Sequence, residues 1–135
     1  MALELVVVTP SGEALSEEVE QVVLPGEAGE FGVLESHERF LTPLALGPMQ
    51  IISSEGTRLG ALSSGFAEVD GSRVVVLVDS CAMAADIDRE ASESRRVEVD
   101  AELAALADGD ENNGERSRLE AALAQAELEV DVAGR

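Results

Sequence analysis

Lysine, tryptophan and tyrosine are absent from this 135-residue chain, cysteine and histidine occur once each, and phenylalanine three times. Each scarcity removes a class of function. A single cysteine, Cys81, cannot build a disulfide framework or a thiolate metal cluster, and between Ser80 and Ala82-Met83-Ala84 it reads as a small buried hydrophobe rather than a nucleophile. A single histidine, His37, has no companion ligands for a metal and no neighbouring Ser or Cys that reads as a nucleophile, so a structural or surface role is expected of it. Without Trp or Tyr there is little on which a sugar or a base could stack. Positive charge is scarce too: nine Arg face 28 Asp and Glu, a formal net charge of −19. That balance argues against nucleic acid as a partner and against direct docking or insertion into anionic lipid. The longest apolar run, Val74–Val78, is a strand's length, not a membrane span. The opening Met-Ala-Leu-Glu lacks the basic start of a signal peptide, so a soluble intracellular protein is expected. The exclusive use of Arg fits either a GC-rich genome or a salt-adapted acidic surface.

What is present suffices for a core. Hydrophobic residues make up 45% of the chain and aromatics 2%, so that core is aliphatic. Short β-branched runs alternate with the turn signals Pro10-Ser11-Gly12, Pro25-Gly26, Gly47-Pro48, Ser54-Glu55-Gly56 and Asp70-Gly71-Ser72, a spacing that predicts a sandwich or barrel. Val69-Asp70-Gly71-Ser72-Arg73-Val74 predicts a tight hairpin. After Asp86 the composition turns to Ala, Glu, Leu and Arg. Val97, Ala101 and Ala104 form one helical stripe and Val99, Leu103 and Leu106 an adjoining one, with Asp86 or Asp88 to start the helix and Gly109 to stop it. A second helix carries Leu119, Ala122, Leu123, Ala126 and Val130 after a Ser117-x-x-Glu120 capping pattern. The expected organisation is a β-sandwich over residues 1–85 and an antiparallel helical hairpin over 86–135, marginally held because its facing residues are mostly Ala.

Two candidate chemistries fail on inspection. The acidic pairs Glu27/Glu30 and Asp86/Asp88 resemble an acid–base pair only as far as any two carboxylates do in so acidic a chain. The run Asp108-Gly-Asp110-Glu-Asn112-Asn113-Gly114 places Asn113 and Leu119 where a calcium loop needs Gly and a bidentate Glu. No metal site is expected. The most informative segment is Pro25 to Thr42, in which Gly29 and Gly32 bracket Glu30-Phe31 as a loop tip suited to protein contact.

Gly29-Glu30-Phe31-Gly32-Val33-Leu34 followed by His37 resembles the Gly-Glu-Phe-Gly-Ile-Leu-x-x-His segment of the epsilon subunit of F-type ATP synthases, called delta in mitochondria. Val8-Thr9-Pro10 stands before it, and Thr42-x-Leu44 to Gly47, Ser63-Ser64-Gly65-Phe66-Ala67-Glu68-Val69, Val74 to Asp79 and Ile87-Asp88 after it, in the family's order. The resemblance implies a flattened sandwich of about ten strands and a non-catalytic rotor subunit without cofactor. Such a subunit is expected at the cytoplasmic face of the bacterial inner membrane, where it would clamp the γ subunit to the c-ring and couple proton or sodium flow to ATP synthesis. It further implies that Gly29, Glu30, Phe31 and Gly32 touch the c-ring, and that His37, Leu41, Thr42 and Met49 face γ. Some members bind ATP through Ile-Asp-x-x-Arg-Ala. Here Ile87, Asp88 and Ala91 stand in those positions, so the phosphate-facing Arg is missing and no nucleotide site is expected. An extended tail would meet the β subunit. From Glu115 to Arg135 five carboxylates oppose three Arg, the wrong sign for that contact and for braking ATP hydrolysis. The alternative reading is an acidic sandwich module with a helical tail and unrelated partners.

Overall fold

The computed structural model describes residues 3–34, 37–106 and 113–134, with the backbone alone described at His37, Glu38 and Asn113. The chain divides into two compact units, Met1–Ala84 and Ala85–Arg135.

Ten strands make the first unit: β1 (Leu3–Thr9), β2 (Gly12–Val19), β3 (Gln21–Gly26), β4 (Gly29–Leu34), β5 (His37–Leu44), β6 (Gly47–Ser53), β7 (Gly56–Leu62), β8 (Gly65–Gly71), β9 (Arg73–Val78) and β10 (Cys81–Met83). They follow the order β10-β7-β6-β3-β5-β8-β9-β1-β2, with β4 paired to β3 off this path. All neighbours are antiparallel except β1 and β9, which run parallel with Val6 opposite Val75. The fold turns at β3. Its residues Gln21 to Val23 pair with β6, whereas Gly26 pairs with Leu44 of β5, so one strand serves both layers. Leu24, Val22, Met49, Ile51 and Leu62 from one side meet Leu3, Leu5, Val7, Val69, Val74 and Val76 from the other in a mainly aliphatic core, with Phe31 and Phe40 packed against it. Full burial of each such side chain contributes about 1.5–3 kcal/mol. An Arg58–Glu17 ion pair links β7 to β2, bringing together strands from opposite ends of the order. This is the β-sandwich that the turn spacing predicts.

Alternation sets which face is buried. Along β8, Ala67 and Val69 are buried while Phe66, Glu68 and Asp70 are exposed. The expected β8–β9 hairpin forms, but its turn is Gly71-Ser72 rather than Asp70-Gly71: Val69 lies opposite Val74 and Asp70 opposite Arg73, with Gly71 at φ +63°. That left-handed position costs a β-carbon about 1–2 kcal/mol, which glycine avoids. Asp70 lies just outside the turn and pairs with Arg39 instead. Two other expected turns shift by a residue or two. Gly26 ends β3, so the β3–β4 turn is Glu27-Ala28; Gly47-Pro48 begins β6, so the preceding corner is Ala45-Leu46. Ala45 N donates to Pro25 O at 2.8 Å and fixes that corner. Cys81 packs against the core, and burial pushes its thiol pKa up, which keeps it unreactive.

A short 3-10 turn, Ala84–Asp86, spans the boundary, and the second unit holds two helices, α1 (Arg89–Ala105) and α2 (Asn113–Gly134). Asp88 is the N-cap of α1, its carboxylate accepting from Ala91 N at 3.1 Å. Helix α1 ends on Leu106, whose N–H reaches Leu103 O. The proposed stop Gly109, and the Asp108–Asn112 run with it, lie outside the described residues. The stripe that packs is Val99 with Leu103 and Leu106; Val97, Ala101 and Ala104 are exposed. On α2, Leu119, Ala126 and Val132 are buried. Helix α2 starts at Asn113, so Ser117 lies a turn inside it and does not cap it. None of the described helices is long and apolar enough to cross a membrane.

Candidate functional site

The β3–β4 hairpin is built on Gly26 opposite Gly29, Pro25 opposite Glu30 and Leu24 opposite Phe31. Glu27-Ala28 is therefore its tip, and Glu30-Phe31 belongs to the strand behind it. The sequence reading missed this because Pro25-Gly26 is a turn signal that here ends a strand. Glu27 N donates to Pro43 O at 3.2 Å, which anchors the tip to β5. Glu30 is exposed beside the tip. Phe31 turns inward, half-buried, its ring 5.6 Å from Phe40 in an edge-to-face arrangement at 66°. Gly32 leaves room for the Gln21 side chain, whose Nε2 would lie 2.7 Å from a β-carbon there. Of the four residues expected at one contact, Glu30 presents a side chain and Gly29 and Gly32 present backbone. Phe31 supports them from within.

Of the four residues expected at the other contact, the three with described side chains, Leu41, Thr42 and Met49, do not share one exposed face. Leu41 is 66% exposed on the outer face. Thr42 is half-buried and opposite the buried Ala67, hence on the inner-facing side of β5. Met49 has no exposed surface and lies in the core beside Gly60, so it backs the sheet and presents nothing to a partner. The side chain of His37 lies outside the described residues; its backbone pairs with Gly71.

A surface that the sequence reading did not single out surrounds Leu41. Pro43, Phe66, Leu77 and Val8 are successive cross-strand partners on β5, β8, β9 and β1 and make an apolar rung across four strands. Phe66 is 52% exposed and Leu77 45%. The next rung, Leu41, Glu68, Val75 and Val6, is mixed. The third is ionic: Arg39 Nη2 lies 3.1 Å from Asp70 Oδ1, and Arg73 Nε 2.9 Å from Glu4 Oε1. The face thus grades from apolar to charged along the strands. Beyond the apolar rung lies an open groove of about 570 Å³, walled by Pro10, Ser64 and the carboxylates of Glu27 and Asp79. Alternation in β8 was the signal available in the sequence: Ala67 and Val69 share a face, which leaves Phe66 on the other.

Gly65 makes this rung possible. A β-carbon on it would sit 2.0 Å from Leu77 O, so only glycine lets β8 approach β9 this closely. Ser63 secures the loop before it, its Oγ accepting from Asp79 N at 2.8 Å and Ser80 N at 3.0 Å.

In the helical unit the degenerate nucleotide motif is occupied by the helix cap: Asp88 binds Ala91 N, and Ile87 is half-buried before it. The depression lined by Arg89 and Arg96 is also lined by Glu127 and Asp131, so its charges cancel, which suits a triphosphate poorly. Among the described residues no group of three or more His, Cys, Asp or Glu side chains is placed to hold a metal ion.

Residues 2–84 match the family described as ATP synthase, Delta/Epsilon chain, beta-sandwich domain. The chain is 38% identical over 134 residues to the ATP synthase epsilon chain of Geobacter sp. (strain M21), covering 98% of this chain and 94% of that one. It is 35% identical to that of Anaeromyxobacter sp. (strain Fw109-5), with both chains covered in full. Among solved structures, a chain of the Euglena gracilis mitochondrial ATP synthase, in an assembly of OSCP, F1 and c-ring, shares the fold with a TM-score of 0.79 at 23% identity, covering 99% of this chain and 82% of that one. A chain of the Tetrahymena thermophila mitochondrial ATP synthase central stalk and c-ring aligns with a TM-score of 0.63 at 14% identity, over 98% and 97% of the two chains.

Proposed function

This chain belongs to the ATP synthase delta/epsilon family, and from that premise we propose that it is a rotor component that joins the γ subunit to the c-ring and does no chemistry of its own. The observation that carries this reading is the exposed apolar rung of Pro43, Phe66, Leu77 and Val8 with Leu41 beside it, on a rigid sheet whose core is fully buried. An apolar centre with ionic surroundings is the anatomy of a protein interface. Its carboxylates have structural work: Asp88 caps a helix, and Glu4, Glu17, Asp70 and Glu129 pair with Arg. The reading as an acidic module with unrelated partners loses its support once the family is known.

In this scheme the γ subunit covers the outer face around Leu41, and the c-ring meets the Glu27–Gly29 end of the β3–β4 hairpin with Glu30 at its flank. The complex holds the chain at the membrane surface through the c-ring, with the tail facing the β subunit when it extends. Torque needs a stiff connection, and the hydrogen bonds from Glu27 N to Pro43 O and from Ala45 N to Pro25 O tie the hairpin base to β5.

The test is binding of purified γ to residues 1–85 and to the full chain. Equal affinity is expected, because both proposed contacts lie in the first unit. In the full chain Leu41→Glu should weaken γ binding by about tenfold to a hundredfold, the loss typical of a charge placed at an apolar interface centre. Undiminished binding of the folded Leu41→Glu protein would move the γ contact elsewhere.

The hairpin contact has its own readout. Glu30→Lys should leave the melting temperature and ATP hydrolysis of the reconstituted complex unchanged while lowering ion pumping per ATP by about twofold, the scale of one exposed charge contact. Unchanged pumping would place the ring contact at Glu27-Ala28 alone.

A further inference from the structure

We propose that Glu129 is the clasp of the helical unit: one carboxylate on α2 that holds α1 against it and fixes their register. Ser92 is the one buried polar side chain among the described residues, 4% exposed. Its Oγ donates to Glu129 Oε1 at 3.1 Å, and Arg95 Nη1 donates to the same oxygen at 2.9 Å. Gln125 Nε2, one turn earlier on α2, donates to the other oxygen at 3.4 Å. The Glu129 side chain is only 14% exposed, so it has given up most of its water and depends on these donors.

The apolar seam beside it is thin: Val99, Leu119, Ala126 and Val132 are the buried hydrophobic residues described in the two helices. Small side chains bury little area and accept several registers. A desolvated carboxylate accepts one, because a shift of α2 by one turn leaves it without Ser92 and Arg95. The seam supplies adhesion, and Glu129 supplies selection of one register. This inference stands apart from the proposed contacts of the strand unit.

Hydrogen exchange on the full-length protein tests it. Glu129→Ala should speed exchange of the α1 and α2 amides by about tenfold to a hundredfold, the range for lost hydrogen bonds to a charged group. Strand amides should keep their rates, as should the helices in the exposed-site control Glu120→Ala. Ser92→Ala should have a smaller effect in the parent and almost none when added to Glu129→Ala. If Glu129→Ala abolishes helix protection altogether, the graded Ser92→Ala variant still reads the coupling. Helix rates within twofold of the Glu120→Ala control, or effects of Ser92 and Glu129 that simply add, would overturn the proposal.

Discussion

Gly65→Ala is expected to unfold the strand unit or lower its stability by about 4 kcal/mol or more, the range reserved for changes with no room to relax. The added β-carbon would lie 2.0 Å from Leu77 O and 3.0 Å from Val78 Cα. Both are backbone atoms of β9, and β9 is held from its other side by five consecutive partners on β1. Neither strand can yield without opening the layer that buries Leu5, Val7, Val74 and Val76. Domains of this size have about 5–15 kcal/mol to lose, so such a change takes a large part of it. Gly71→Ala is the informative contrast. No atom lies within 4 Å of a β-carbon there, and the penalty is the positive φ alone, about 1–2 kcal/mol. Circular dichroism melts of the three proteins separate the cases. A Gly65→Ala protein melting within a few degrees of its parent would mean that β8 and β9 do not meet as described. Because Gly65 also sets Phe66 beside Leu77, a partly folded variant should lose γ binding as well.

That glycine shows where the sequence could be read and where it could not. The hairpin at Asp70-Gly71 and the cap at Asp88 were legible because their signals are local: a turn dipeptide between alternating strands, and a carboxylate before a helical stripe. The close approach at Gly65 is set by a strand twelve residues on, and no local pattern carries it. The same limit explains Met49. In a sandwich each strand buries one face, but where both faces of a run are apolar, alternation does not say which one turns inward. Met49 was expected at a contact and is fully buried, whereas Phe66 and Leu77, for which no contact was expected, are half exposed. Val97 went the same way on α1, since two apolar stripes lay side by side and only packing chose Val99. The parallel pairing of the first strand with the ninth was likewise invisible, being a property of the whole chain. The contact surface was legible as a segment and became a surface only through cross-strand register.

The second large effect concerns the charge itself. Between roughly 0.01 M and 1 M sodium chloride the melting temperature should rise by about 10 °C or more, as several kcal/mol of self-repulsion is screened. Even if every Arg offset one carboxylate, nineteen negative charges would remain on 135 residues. The Debye length falls from about 30 Å to about 3 Å over that range, so repulsion between carboxylates on neighbouring strands is largely removed. Salt also weakens the ion pairs, such as Arg39–Asp70 and Arg73–Glu4, but these are exposed and each contributes only about 0–1 kcal/mol. Repulsion outweighs them. Its local form is visible in the sheet, where Glu18 on the outermost strand β2 lies directly opposite Glu4 on β1, a like-charge cross-strand pair. Glu13 and Glu18 are exposed charges of the kind that discourage an edge strand from pairing with other chains, at a cost in stability that salt relieves. Replacing the exposed Glu13, Glu18 and Glu20 with Gln should therefore raise the low-salt melting temperature and flatten its dependence on salt. A parent protein with a flat or falling salt profile would assign the missing lysines to codon usage, and the acidic surface would then owe nothing to a salty cytoplasm.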